Sequence, residues 1–90
     1  MNILQEEGRF YVANGEQTVA EITYTTPNDS LIIIDHTFVD DALRGQHIGE
    51  QLVASVVGLA RQQSRKIIPL CPFAKSEFEK KTSYVDVWQK

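Results

Sequence analysis

Six consecutive residues, Arg44-Gly45-Gln46-His47-Ile48-Gly49, place two glycines, a guanidinium and an imidazole immediately before a helical pattern. An apolar run ends upstream at Val39, so the chain passes from a strand through a glycine-bearing turn into a helix. At such a junction several backbone N–H groups have no intrahelical partner, and together with the helix dipole they favour an anion. Phosphate or pyrophosphate suits the converging amides best. An ordinary turn has the same composition, so the surroundings must decide between the two readings. Two further side chains could do chemistry. Simple alternation puts His36 on the face of Ile32 and Ile34, either as a general base or as a hydrogen-bonded core histidine. Cys71 precedes Pro72 at a helix start, where the dipole can lower a thiol pKa; the competing reading is a small buried hydrophobe.

The elements that must position these residues follow from periodicity. Arg9 to Ala13 and Thr18 to Thr25 read as strands joined at Asn14-Gly15, and Ala20, Ile22 and Tyr24 share one face of the second. Pro27-Asn28-Asp29 is a turn signal, and Leu31 to Val39 is a long β-branched strand, apolar on both faces at its start. Ile48, Leu52, Val53, Val56, Val57 and Ala60 then recur at helical spacing through Gln63, with Gly58 inside the pattern as a place for close packing. Lys66 to Cys71 reads as a strand with Pro69 at an edge or bulge, and its length matches a helical crossover to a parallel partner. Pro72 opens a helix over Phe73 to Lys81, and Thr82 or Ser83 caps a last turn carrying Tyr84, Val87 and Trp88. The expected fold is α+β in the order β-β-β-α-β-α, a mixed and mainly antiparallel sheet with one parallel pair.

Ninety residues without a linker or a shift in composition give one domain, 1–90. The longest wholly apolar run is Leu31 to Ile34, and the N-terminus lacks a basic region and an apolar core, so neither a membrane span nor a signal peptide is expected. A single cysteine cannot pair within the chain, which fits a reducing cytoplasm. Charge is polarised. Residues 1–43 hold one basic and eight acidic side chains, net −7, while 44–90 hold eight basic and four acidic, net +4. A net acidic chain argues against nucleic acid as partner. The basic half could draw an anionic cofactor and the acidic half a cationic substrate, or both could serve solubility alone.

The segment from His36 through Trp88 resembles the GNAT superfamily of acyl-CoA-dependent N-acetyltransferases, and within it the minimal, single-domain YjdJ-type subgroup. The resemblance rests on the strand ending His36-Thr37-Phe38-Val39, on the loop Arg44 to Gly49 with its following helix, and on Ile68-Pro69-Leu70-Cys71-Pro72-Phe73 followed by Tyr84-Val85-Asp86. The superfamily loop is Gln or Arg, two residues, Gly, one residue, then Gly or Ala. Arg44 and Gly49 fit, but His47 stands where glycine is usual. Histidine is among the residues that more readily adopt positive φ.

The resemblance implies acetyl-CoA as cofactor and transfer of its acetyl group to an amine, whether small molecule, peptide or protein lysine. No metal, nucleic-acid or membrane partner is expected, and a monomer is expected. Arg44, Gly45, Gln46, His47, Ile48 and Gly49 would take the pyrophosphate. The backbone at Phe38 and Val39 would pair with the pantetheine arm between splayed parallel strands, and Lys75 or Arg61 would meet the adenosine 3′-phosphate. Cys71 and His36 are the catalytic candidates. Cys71 would serve as a transient acetyl carrier or a polar wall beside the thioester, and His36 as the base that a protonated amine requires. Glu21 and Asp35 are carboxylates that could attract that amine, and Tyr84 could protonate the departing thiolate. The alternative is a non-catalytic acyl-CoA-binding or protein-interaction module on the same fold.

Overall fold

The computed structural model describes residues 2–90. Five strands form one sheet in chain order: β1 (Leu4–Glu6), β2 (Arg9–Asn14), β3 (Gln17–Asn28), β4 (Leu31–Val39) and β5 (Lys66–Pro69). The first four pair antiparallel, and β4 and β5 run parallel. Helix α1 (Ile48–Gln63) makes the crossover, and α2 (Pro72–Lys80) follows β5. Short 3-10 turns occupy Asp41–Leu43 and Thr82–Val87. The α+β arrangement is the one expected, with one strand more. All three residues of β1 are exposed, so no apolar alternation announced it.

Each junction has a local cause. Gly15, at φ +63°, turns β2 into β3. The second hairpin turn lies at Asp29 and Ser30, beyond the Pro27-Asn28 pair, because the Asn28 side chain accepts the Ser30 N–H at 2.9 Å and lets the strand run on. β5 stops at Pro69, short of the expected Cys71. Leu70 still donates to the Ile34 carbonyl at 3.1 Å, but Cys71 has become the N-cap of α2 with Pro72 at its first position.

One hydrophobic cluster joins the layers. Val12, Ala20, Ile22, Tyr24, Ile32, Ile34 and Ile67 meet the buried stripe of α1, together with Ala74 and Phe78 of α2. Both helices therefore pack on the same sheet face. The opposite face carries Arg9, which lies 3.8 Å over the Tyr11 ring and 2.9 Å from Glu21. Gly58 is exposed, and a Cβ added there would meet no atom within 4 Å, so it is not a point of close packing.

Alternation fails at one place in β4. Tyr24 pairs with Ile34 and Thr23 with His36, leaving Asp35 unmatched in a β-bulge. The extra residue reverses the phase. Thr37 and Val39 pair with the buried Ile22 and Ala20 and so face the helices, whereas His36 and Phe38 pair with Thr23 and Glu21 on the opposite face. His36 is thus exposed and off the Ile32/Ile34 face, contrary to simple alternation. Among the described residues no helix is long and apolar enough to cross a membrane.

Candidate active site

Beyond the Ile34 pairing with Pro69, β4 continues without β5 beside it. A cleft of about 440 Å³ opens there, lined by Thr37 and Val39 of β4, Leu43, Arg44, Gly45 and His47 of the loop, Ile48, Gly49 and Glu50 of α1, and Phe73 of α2. Five of the six loop residues line it, Gln46 being the exception.

The loop is built to leave amides unpaired. Asp40 accepts the Ala42 N–H on its side chain at 2.9 Å, Arg44 donates to the Asp41 carbonyl at 3.1 Å, and Gln46 to the Leu43 carbonyl at 3.3 Å. Gly45 takes φ +89°, a value for which glycine is suited. His47 sits in the left-handed region at φ 58°, and its carbonyl accepts the Gln51 N–H at 3.1 Å to begin the helix. Among the described residues, the amides of Gly45, His47, Ile48 and Gly49 find no acceptor in the chain. They stand at the N-terminus of a 16-residue helix, where an anion is favoured.

The His47 ring does not plug the turn. Its side chain is 78% exposed, and Nδ1 lies 2.5 Å from the Glu50 carboxylate. That hydrogen bond, ahead of the backbone amide of Glu50 and the charge of Lys81, holds the Glu50 carboxyl below its ordinary value. A carboxylate in the first turn suits the helix but borders the space an anionic ligand would use. Arg44 is tied to Asp41 at 3.0 Å and well exposed. The other basic residues do not gather at the cleft. Arg61 pairs with Asp86, Arg65 donates to the Asn28 carbonyl, and Lys80 and Lys81 flank the buried Glu77.

Phe73 closes one wall. A Cβ added at Gly49 would lie 2.8 Å from the Phe73 Cζ, so the glycine lets the ring rest on the helix start. Phe38 is 41% exposed on the other sheet face and does not line the cleft. Lys75 lies apart, beside Ile68, Leu70 and Trp88. Cys71 is 7% exposed and does not line the cleft. Its Sγ accepts the Ala74 N–H at 3.4 Å and lies 3.1 Å from the hydroxyl of Thr37, a residue of the cleft lining. Tyr84 is buried against Phe78, with ring centroids 5.3 Å apart.

Thr37, Leu43, Glu50 and Phe73 are cleft residues that sequence reasoning did not choose. Only the bulge reveals Thr37, and Asp35 carries no glycine or proline to flag it.

The sequence profile of the GCN5-related N-acetyl-transferase matches residues 9–87, and the chain belongs to that family. It is similar to a GCN5-like protein from Staphylococcus aureus solved by NMR, with 45% identity, a TM-score of 0.83, and 98% of this chain and 87% of that one covered. Two more distant structures share the fold. Rv2747 of Mycobacterium tuberculosis, in complex with CoA, has 19% identity and a TM-score of 0.64, covering 81% of this chain and 46% of that one. The ribosomal-protein-alanine N-acetyltransferase of Brucella melitensis has 18% identity and a TM-score of 0.64, covering 86% and 65%. A search of curated proteins finds no match.

Proposed function

We propose that the protein binds acetyl-CoA in the cleft between β4 and α1 and transfers the acetyl group to an amine. The observation that carries this reading is the set of unpaired amides at Gly45, His47, Ile48 and Gly49, which a pyrophosphate would satisfy. The backbone of β4 beyond Ile34, free of a strand on that side, would pair with the pantetheine amides as an added strand does. The thioester then lies by Thr37 and Val39. An amine near pKa 10.4 arrives protonated, and His36, exposed on the sheet face opposite the cleft lining, is the base proposed for an amine that approaches from that face. Cys71, with its sulfur behind Thr37, suits direct attack by the amine better than a covalent acetyl-cysteine.

Burial of Cys71 also favours a second reading, a module that holds an acyl-CoA without turnover. An NMR titration with acetyl-CoA, paired with an acetylation assay over a panel of amines, separates the two. Amide shifts centred on Gly45 to Glu50 are expected with acetyl-CoA and with free CoA. Shifts confined elsewhere would refute the cofactor site, and binding without acetylation of any amine would favour the module.

A further inference from the structure

We propose that Thr37 and Cys71 form a hydroxyl–thiol relay that delivers a proton to the departing CoA thiolate; this rests on the acetyl-transfer reading above. A thiolate leaving group is eased by a proton donor beside it, and the cleft offers few. Its polar side chains are Thr37, Arg44, His47 and Glu50. The last three stand at the anion end, in the loop and the first turn of α1, while Thr37 alone lies on β4 at the splay. Tyr84, the phenol that could have served, is buried against Phe78 outside the cleft lining.

A threonine hydroxyl is too weak an acid to give up its proton unaided. Here its oxygen lies 3.1 Å from the Cys71 sulfur, and a thiol is far more acidic than an alcohol. The thiolate left behind would be held by the Ala74 N–H at 3.4 Å and by the N-terminus of the nine-residue α2. Sulfur is a weak acceptor, so a thiol at this N-cap serves the helix less well than the usual hydroxyl or carboxylate would. Two elements far apart in sequence thus bring an acid and a relay oxygen together, Thr37 on the cleft wall and the Cys71 sulfur behind it.

The step balances. The amine nitrogen forms its bond to the acetyl carbon, and collapse of the tetrahedral adduct breaks the C–S bond with the electron pair going to the CoA sulfur. That sulfur takes the Thr37 hydroxyl proton as the Thr37 oxygen takes the Cys71 thiol proton. The proton shed by the amine restores the thiol through solvent. Thr37 is the catalytic residue, and Cys71 acts through it.

The experiment compares the full chain with Thr37→Val, Thr37→Ser and Cys71→Ala, reading kcat and KM for acetyl-CoA together with the pH dependence of Cys71 alkylation by iodoacetamide. Thr37→Val is expected to lower kcat by about 10²-fold, the scale of one acid–base group, with KM nearly unchanged and Thr37→Ser restoring most of the rate. Its alkylation midpoint moves, and that of Thr37→Ser stays near wild type. Should Thr37→Val fail to fold, Cys71→Ala carries the same kcat comparison. A wild type that acetylates amines while Thr37→Val, or Cys71→Ala in its place, keeps full kcat overturns the relay alone. An unmoved alkylation midpoint overturns it too, as does an acetyl group on Cys71 in acid-quenched mass spectra. A wild type that acetylates nothing overturns the transfer reading and the relay with it.

Discussion

The two halves of β4 do opposite work. From Leu31 to Ile34 the strand is paired on both sides, with β3 and with β5, and Ile32 and Ile34 are fully buried. From His36 to Val39 it keeps β3 but loses β5, and the groups facing the helices are half-buried walls of a cleft. One unmatched residue, Asp35, separates them. The contrast teaches that a cleft needs no separate element; a bulge and the loss of one neighbour convert core strand into cleft wall.

The comparison is tested most directly by shortening one side chain in each half and reading the loss by urea unfolding. Ile34→Ala and Val39→Ala sharpen it. The first removes a fully buried side chain and is expected to cost about 2–5 kcal/mol. The second, at a cleft wall, is expected to cost about 1 kcal/mol or less while weakening the stabilisation acetyl-CoA gives in a thermal shift.

A smaller effect of opposite sign is expected at Gly58, where a new Cβ meets nothing. Gly58→Ala should stabilise by about 1 kcal/mol, raising Tm by roughly 4–8 °C with cofactor binding unchanged. The smallest is a pH effect. The Glu50 carboxyl titrates below its ordinary value of 4.5, so its contribution to stability is complete above that value and lost as pH falls through the depressed folded pKa. Denaturant midpoints between pH 5 and pH 3, conditions flanking that value, should fall less in Glu50→Gln than in wild type.

The early half of β4, the stripe of α1 and the turn into α2 were legible because each rests on a repeated local signal: β-branched apolar residues, helical spacing, and Pro72 after a capping position. The loop before α1 was legible for the same reason, since glycines before a helix start report backbone geometry directly. What was hidden depends on partners distant in the chain. The phase change at Asp35 is fixed by pairing with β3, not by its own type, so His36 was assigned the face that Thr37 in fact occupies. Leu70-Cys71 looked like strand because both residues are apolar. Only the proline that follows, and the sulfur accepting the Ala74 amide, make Cys71 a cap instead. β1 escaped notice because three exposed residues carry no pattern, and the β2 edge alone recruits them.

Among the described residues strand order in the sheet follows chain order, and the only crossover is the one that contains α1. Each strand can therefore dock on a neighbour already in place, as in a row of hairpins closed one after another, and little loop entropy is spent on distant encounters. A chain of this topology should refold faster than sandwiches or barrels of equal length, in a single exponential phase whose rate-limiting event is the parallel docking of β5. The cleft wall is then the last part of the sheet to be flanked, and it becomes available as folding completes.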